Sequence, residues 1–139
     1  MTNPERTQFS MLEAGYEFPP ASYILEPELI SSYITATSDT YEGYTEGKLV
    51  PPTAVAAYAL AALANEMEIP PGTIHTSQEI ASIAPVRIND TITIHARVGS
   101  KRSRKNMEMM SIDIDVTNQH NNTVLTGKTA FMSSPQFSM

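Results

Sequence analysis

Residues 49–64 decide the fold, and they read Leu49-Val50-Pro51-Pro52-Thr53-Ala54-Val55-Ala56-Ala57-Tyr58-Ala59-Leu60-Ala61-Ala62-Leu63-Ala64. The two prolines favour the first turn of a helix, because proline lacks the N–H group that would be unpaired there. The helix that follows is apolar on every side, and a helix without a polar face is buried. We therefore expect one central helix that the rest of the chain wraps.

Four segments downstream of this helix have the composition of β-strands. The two clearest, residues 91–98 and 109–116, alternate apolar and polar side chains as half-buried strands do. The two less regular segments are residues 73–83 and 123–132. Residues 73–83 carry an unusual number of polar side chains for a strand that should cover a buried helix.

Turns and a second helix complete the expected order of elements. Turn-forming residues at 99–106 and 118–122 separate the strands. Residues 28–37 predict a shorter amphipathic helix upstream. The chain therefore reads as a short helix, a loop, the buried helix and four antiparallel strands, which is an α+β fold.

Length and composition predict one domain that spans residues 1–139. A chain of 139 residues with 41% hydrophobic content can bury a single core. We expect that core within about residues 17–131, with flexible tails at both ends.

The same composition excludes several classes of protein. The chain has no cysteine, which excludes disulfides and thiolate chemistry. No apolar run approaches the roughly 20 residues that cross a membrane, and residues 1–10 lack the core of a signal peptide, so we expect a cytoplasmic protein. The net charge of −6 argues against binding to nucleic acid.

Five short motifs follow one another in an order typical of one known superfamily. They are Phe18-Pro19-Pro20, the segment from Tyr33 to Asp39, Val50-Pro51-Pro52-Thr53, the segment from Ile74 to Glu79 and the segment from Pro85 to Thr91. This succession resembles the MaoC-like hotdog proteins, and within them the N-terminal, fungal fatty-acid-synthase-type dehydratase branch. The resemblance covers about residues 17–131, nearly the whole chain.

The resemblance implies a fold, an activity and partners. The fold is a hotdog: a long central helix wrapped by an antiparallel sheet, which pairs through that sheet into a dimer. The activity is the addition or removal of water across the 2,3-bond of an acyl thioester, carried by coenzyme A or by acyl carrier protein. No cofactor is implied. The partner that the resemblance implies is a second copy in a homodimer or another hotdog subunit in a heterodimer, and an edge strand that needs pairing independently favours an oligomer.

The catalytic signature of that superfamily has the form Asp-x-Asn-Pro-[Ile/Leu]-His, and this chain departs from it. Asp39 falls on the signature aspartate, but the residue five positions later is Tyr44 instead of histidine. A tyrosine phenol with an ordinary pKa near 10 is a poor base at neutral pH. Three interpretations of this loop stay open. Asp39 closes a turn, or it forms a variant acid/base site with Tyr41, Glu42 or Tyr44, or the loop borders a site that a partner completes.

His75 is the histidine best placed for chemistry, since it enters a strand directly after the turn at Pro70-Pro71-Gly72. On a regular strand His75 would share one face with Ser77 and Glu79, and Gln78 would lie on the other. We take His75 as a candidate catalytic residue and Gln78 as a candidate substrate contact. The alternative is a structural histidine bonded to the neighbouring backbone.

The other two histidines, His95 and His120, fall on a polar strand face and in a turn. Their spacing from His75 has no metal-ligand signature, so we expect no metal site.

The start of the central helix has a second possible use. Because Pro51 and Pro52 have no N–H, the first free donors belong to Thr53, Ala54 and Val55. With the helix dipole they could stabilise the oxyanion of a thioester carbonyl. Ordinary helix initiation, with Thr53 as the cap, explains the same residues.

A basic run lies between two predicted strands and comprises Lys101, Arg102, Arg104 and Lys105. Such a run is commonly a solvated turn. On an acidic chain it could also hold the phosphates of coenzyme A or the acidic face of a carrier protein, with Arg102, Arg104 and Lys105 as the binding residues.

Two main hypotheses on function follow. The first is a 3-hydroxyacyl-thioester dehydratase, or enoyl-thioester hydratase, that uses Asp39, His75 and Tyr44. The second is a non-catalytic hotdog subunit that binds acyl chains or stabilises a catalytic partner. A weaker third hypothesis is an acyl-CoA thioesterase, because hotdog folds also host that reaction, and fold alone does not choose among them.

Overall fold

A computed structural model describes residues 6–45 and 48–134 of the chain. Its strands are β1 (Thr7–Gln8), β2 (Ala21–Ile24), β3 (Met67–Glu68), β4 (Ile74–Ser82), β5 (Thr91–Arg104), β6 (Met107–Thr117) and β7 (Thr123–Ser133). Its helices are α1 (Pro27–Thr37), α2 (Glu42–Thr45) and α3 (Pro52–Glu66), with a 3-10 turn at Phe9–Met11. Residues 1–5 and 135–139, where the flexible tails were expected, lie outside the described residues.

Five strands form one antiparallel sheet in the order β2-β5-β6-β7-β4. The sheet supports α3, as the hotdog expectation requires. The helices expected at 28–37 and after Pro51 are confirmed as α1 and α3, and the four predicted strands are confirmed as β4 to β7. Strand β2, which was not predicted from the sequence, pairs with β5 at the edge opposite β4.

The core lies between the inner face of the sheet and α3. Alternate residues of β5 and β6 are buried, as their period-2 pattern predicts; they are Ile92, Ile94, Ala96, Val98, Met110, Ile112, Ile114 and Val116. The buried side chains of α3 are Ala54, Val55, Ala59, Ala62 and Leu63. Apolar burial of this extent is the main favourable term in folding.

The prediction that α3 is buried on every side is wrong for the single chain. Ala57, Ala61 and Ala64 are exposed along one stripe of the helix. A sheet of one layer covers only the face of the helix that rests on it, and α1 covers only a neighbouring face.

None of the helices in the described residues has the length and apolar character of a membrane span.

The predicted turn at 99–106 is also wrong, because β5 continues to Arg104 and β6 begins at Met107. The turn itself is Lys105-Asn106, with φ of 50° and 66°, the left-handed region that two-residue hairpins use. A bulge at Gly99 interrupts the ladder. A side chain at Gly99 would meet the Asp113 carboxylate, which would have to move aside.

The core begins earlier than residue 17, the expected boundary. Phe9 and Leu12 are each 1% exposed and belong to the core. They lie beside β1, which pairs in parallel with β3 just after the end of α3. The sequence did not predict this contribution, because Phe9, Met11 and Leu12 form too short an apolar segment to show a period of 2 or 3.6.

Candidate active site

A cavity of about 210 Å³ lies beside the start of α3. It opens between the loop after α1, the first turn of α3 and the ends of β4 and β7. Side chains from all four elements line it, among them Tyr41, Tyr44, Leu49, Val55, Ser82 and Leu125. Most of these groups are apolar, and two phenol rings supply the aromatic part of the wall.

The backbone before α3 positions this cavity. The N–H of Val50 donates to the carbonyl of Val86 at 2.8 Å, and the N–H of Ile88 donates to the carbonyl of Lys48 at 2.6 Å. This short pairing ties the approach to α3 to the segment after β4. Pro51 and Pro52 then start the helix at a fixed place on the cavity wall.

Two tyrosines form the wall on the loop side. The rings of Tyr41 and Tyr44 meet edge to face, with their centroids 4.8 Å apart. The Tyr41 ring covers Gly43 so closely that a side chain at Gly43 would overlap it. The N–H of Tyr44 donates to the carbonyl of Tyr41 at 3.0 Å. This bond holds Tyr44, which lies in α2, next to Tyr41, which directly precedes α2. Tyr44, the residue in the place of the signature histidine, therefore lines the cavity.

Asp39 has a local role at the end of α1. Its Oδ1 accepts a hydrogen bond from the N–H of Tyr41 at 3.0 Å. Ser38, just before it, has a left-handed φ of 55° and ends the helix. These contacts match the interpretation in which Asp39 closes a turn, and Asp39 is not among the residues that line the cavity.

His75 faces the inner side of the sheet and packs on β7. Its Nε2 lies 2.7 Å from Oγ1 of Thr129, and its ring stacks on Phe131 with centroids 5.0 Å apart. Thr129 is completely buried. His75 is not among the residues that line the cavity, so the structure does not join it to Tyr44 there.

The predicted faces of β4 are wrong because of a bulge. The pairing of β4 with β7 shifts between His75 and Ser77, so Thr76 is an extra residue in the ladder. His75 therefore lies on the same inner face as Gln78, instead of sharing a face with Ser77 and Glu79. The Gln78 amide donates to the backbone carbonyls of Glu79 and Lys128 at 3.1 and 3.4 Å. The amide group of Gln78 is therefore bonded to the backbone of β4 and β7.

At the start of α3, two of the three candidate oxyanion donors are already paired. The N–H groups of Ala54 and Val55 both donate to the carbonyl of Pro51, at 2.9 and 3.4 Å. Pro51 is the N-cap, so Thr53 is not the capping residue. The Thr53 hydroxyl instead accepts a hydrogen bond from the Tyr33 phenol at 2.7 Å.

The basic run lies at the far end of the β5–β6 hairpin. Arg102 and Arg104 are exposed on β5, and Lys105 is exposed in the turn. None of the three lines the cavity. Lys101 points inward and donates to the carbonyls of Ser10 and Leu12 at 2.8 and 2.7 Å, which occupies its ammonium group.

The sequence did not point to several of the cavity residues, among them Ser82, Ala84, Val124 and Leu125. Ser82 and Ala84 reach the cavity from the end of β4 and the segment after it. No local signal could have found them, because their position depends on the pairing of β4 with β7. A second, apolar groove of about 250 Å³ lies between α1 and α3, lined in part by Tyr33 and Tyr58.

A helix resting on one face of an antiparallel sheet is the arrangement of the hotdog fold. The sequence matches the family model of the FAS1-like, dehydratase domain region over residues 13–127. The chain belongs to this FAS1-like dehydratase domain family. No curated protein sequence matches it.

Solved structures share the fold at low sequence identity. R-hydratase PhaJ1 from Pseudomonas aeruginosa is similar with a TM-score of 0.76 and 19% identity, over 90% of this chain and 84% of that one. The MaoC-like dehydratase from Rhodospirillum rubrum has a TM-score of 0.74 and 16% identity, over 91% and 95%. The HadBC (3R-hydroxyacyl-ACP dehydratase) complex from Mycobacterium tuberculosis has a TM-score of 0.69 and 16% identity, over 86% and 96%.

Proposed function

We propose that this chain binds an acyl thioester in the cavity beside α3, as one subunit of a 3-hydroxyacyl-thioester dehydratase or enoyl-thioester hydratase. In this proposal a second hotdog chain supplies the catalytic Asp and His pair. The observation that carries the proposal is the composition of the cavity. Its wall offers apolar surface and Tyr44, while Asp39 closes a turn and His75 is bonded to Thr129.

The chemistry explains why a partner is needed. Removing water across the 2,3-bond requires one group that takes the proton next to the carbonyl and one that protonates the leaving hydroxyl. A phenol donates a hydrogen bond readily but is a weak base. Tyr44 alone therefore suits the binding and orientation of a substrate better than the abstraction of a proton.

In this proposal the thioester carbonyl lies at the start of α3. The N–H groups of Ala54 and Val55 are paired, so the N–H of Thr53 is the remaining candidate donor of the three, although Thr53 itself is not among the residues that line the cavity. The positive end of the helix dipole would strengthen a hydrogen bond to a developing oxyanion. The acyl chain would then extend along Val55 and Leu125.

The partner would attach at β4, the longer of the two edge strands of the sheet. All nine residues of β4 are exposed, although β7 pairs with the strand along its whole length. Ile74 and Ile80 are 46% and 38% exposed. An unpaired edge with exposed apolar side chains is a template for another strand. HadBC, a neighbour in fold, is a 3R-hydroxyacyl-ACP dehydratase complex.

A second candidate is a hydratase that works alone, and the position of Tyr44 in the cavity wall favours it. In that case Tyr44 with Asp39 or His75 would form a variant acid/base site. A thioesterase would use the same cavity but release free thiol.

Binding is the first test, by calorimetric titration with a short saturated acyl-CoA such as butyryl-CoA. Ala84→Leu places extra atoms in the cavity and should weaken binding at least tenfold. Ala81→Leu adds the same atoms to the outer face of β4, since Ala81 pairs with Thr126, and should bind as the wild type does. Equal affinities for the two variants would contradict the cavity as the binding site.

Catalysis is the second test, by hydration of a short 2-enoyl-CoA with and without a co-purified hotdog chain that carries the intact signature. We expect no hydration by this chain alone and hydration by the pair. Hydration by the chain alone, abolished in Tyr44→Phe, Asp39→Asn or His75→Ala, would instead establish the variant site. Release of free coenzyme A thiol would identify a thioesterase.

A further inference from the structure

A row of alternating charges crosses the outer face of the sheet. Each charged residue pairs with an opposite charge on the neighbouring strand or segment, and in spatial order the row is Glu17, Arg97, Asp113, Lys128 and Glu79. The side chains lie on the outer face because the residues on either side of them in β5 and β6 are buried in the core. Opposite charges placed directly across neighbouring strands favour that pairing.

The row runs to the free edge of the sheet. Arg97 and Asp113 form an ion pair of 3.7 Å in its middle. Lys128 stands between Asp113 on β6 and Glu79 on β4. Glu79 is exposed and has Lys128 on one side only, because β4 is the last strand of the sheet. A strand added at this edge would place its own side chain next to Glu79.

A second copy of this chain offers no basic residue for that place. The strand β4 contains no lysine or arginine. In a symmetric antiparallel pair centred on Gln78, the middle of the strand, Ser77 would face Glu79. In a pair centred on Glu79, two carboxylates would face each other, which is unfavourable. His75 cannot fill the place, since the bulge at Thr76 puts it on the inner face.

We propose that β4 selects a hotdog partner whose pairing strand carries a lysine or arginine opposite Glu79, and thus a different chain in preference to a second copy of itself. The inference rests on the proposed function, in which β4 is the contact between subunits. Continuing the charge row across the interface would set both the register and the identity of the partner strand, as like or missing charges disfavour the wrong pairing.

The test introduces into this chain a lysine that would face Glu79 when two copies of β4 pair. Ser77→Lys would place a lysine opposite Glu79 twice in the symmetric pair, once on each side of the two-fold axis. We expect self-association, measured by sedimentation equilibrium, to tighten about tenfold at low salt and to lose most of that gain at high salt. Adding Glu79→Gln to Ser77→Lys should remove the gain.

The matched control is Ser100→Lys. Ser100 lies in the same row across the strands as Ser77, because Ser77 pairs with Ala130, Ala130 with Ser111, and Ser111 with Ser100. The substitution Ser100→Lys therefore adds the same charge to the same face of the sheet, but three strands away from the edge strand β4. Self-association of Ser100→Lys should equal that of the wild type.

Two results would overturn the proposal. One is equal self-association of Ser77→Lys and Ser100→Lys, and the other is a tight wild-type dimer that neither Ser77→Lys nor Glu79→Gln alters. The variant Ile80→Asp distinguishes rejection of the charge row from rejection of β4 as the interface, because it puts a charge on the inner face of β4. If Ile80→Asp disrupts a dimer that the Glu79 variants leave intact, the interface stands and the charge row is rejected. If it does not, the proposed use of β4 fails as well.

Discussion

The ammonium group of Lys101 lies 2.7 Å from the carbonyl oxygen of Leu12, although 89 positions separate the two residues in the chain. The same group donates to the carbonyl of Ser10 at 2.8 Å. The bulge at Gly99 turns Lys101 to the inner side of the sheet, away from the other basic residues of the hairpin. Lys101 therefore holds the N-terminal segment, with its buried Phe9 and Leu12, against the core.

Replacing Lys101 by methionine should destabilise the chain by about 1.5–3 kcal/mol, the usual range for hydrogen bonds to a charged group. Methionine keeps most of the stem of the side chain, so the loss reports the ammonium group. The free energy of unfolding in urea measures it. Arg102→Met, one residue along on the exposed face, is the control and should change stability by no more than about 0.5 kcal/mol. Similar losses in both variants would contradict the role of Lys101.

The pair of His75 and Thr129 should show a measurable coupling. Thr129 is completely buried and its Oγ1 lies 2.7 Å from His75 Nε2. Thr129→Val keeps the shape but removes the hydroxyl, so a loss of about 1 kcal/mol is expected. A double-mutant cycle with His75→Ala should give a coupling of about 0.5–1.5 kcal/mol in thermal or urea unfolding. Additive effects would mean that the hydrogen bond contributes nothing to stability.

The hairpin turn at Lys105-Asn106 should tolerate a better turn sequence. Both residues have positive φ, which costs non-glycine residues free energy. Asn106→Gly should stabilise the chain by about 1 kcal/mol, because glycine adopts this conformation without strain. Ser103→Gly, in the adjoining strand, should instead destabilise it by roughly 0.5–1 kcal/mol. Urea unfolding of the two variants tests whether the turn has the described geometry, and destabilisation by Asn106→Gly would argue against it.

Stability should fall at alkaline pH through Tyr58. Burial raises the pKa of Tyr58 above its ordinary value of 10.0, and the Glu26 carboxylate and Tyr23 raise it further. The folded chain thus keeps a proton that the unfolded chain releases. The resulting stabilisation is complete below about pH 10 and is lost as the pH rises through the pKa of the folded state.

The measurement for Tyr58 is the urea midpoint as a function of pH from about 9 upward. Tyr58→Phe has no phenol to ionise, so its stability should fall less steeply with pH than that of the wild type. Glu26→Gln removes one cause of the raised pKa and should give an intermediate slope. Identical slopes for Tyr58→Phe and the wild type would rule out this linkage.

Much of the fold follows from local patterns in the sequence. The alternation in β5 and β6 predicts both the strands and their buried faces, because period 2 matches the pleat whatever the partner strand is. The prolines at 51 and 52 and the alanines and leucines after them predict α3 in the same way. Tyr44 in the place of the signature histidine pointed to the loop that lines the cavity. Ser82 and Ala84 could not be found, since only the pairing of β4 with β7 brings them there.

The sequence by itself determined α1, α3 and the strands β4 to β7, and it determined which residues of β5 and β6 are buried. Only the tertiary structure decided at which residues the side chains of a strand switch from one face of the sheet to the other. One extra residue at Thr76 places His75 on the inner face, and one at Gly99 turns Lys101 toward Leu12. The physical reason is that a period-2 pattern assigns faces only while the ladder is unbroken, and a bulge depends on how two strands pair, which the pattern of either strand alone does not contain.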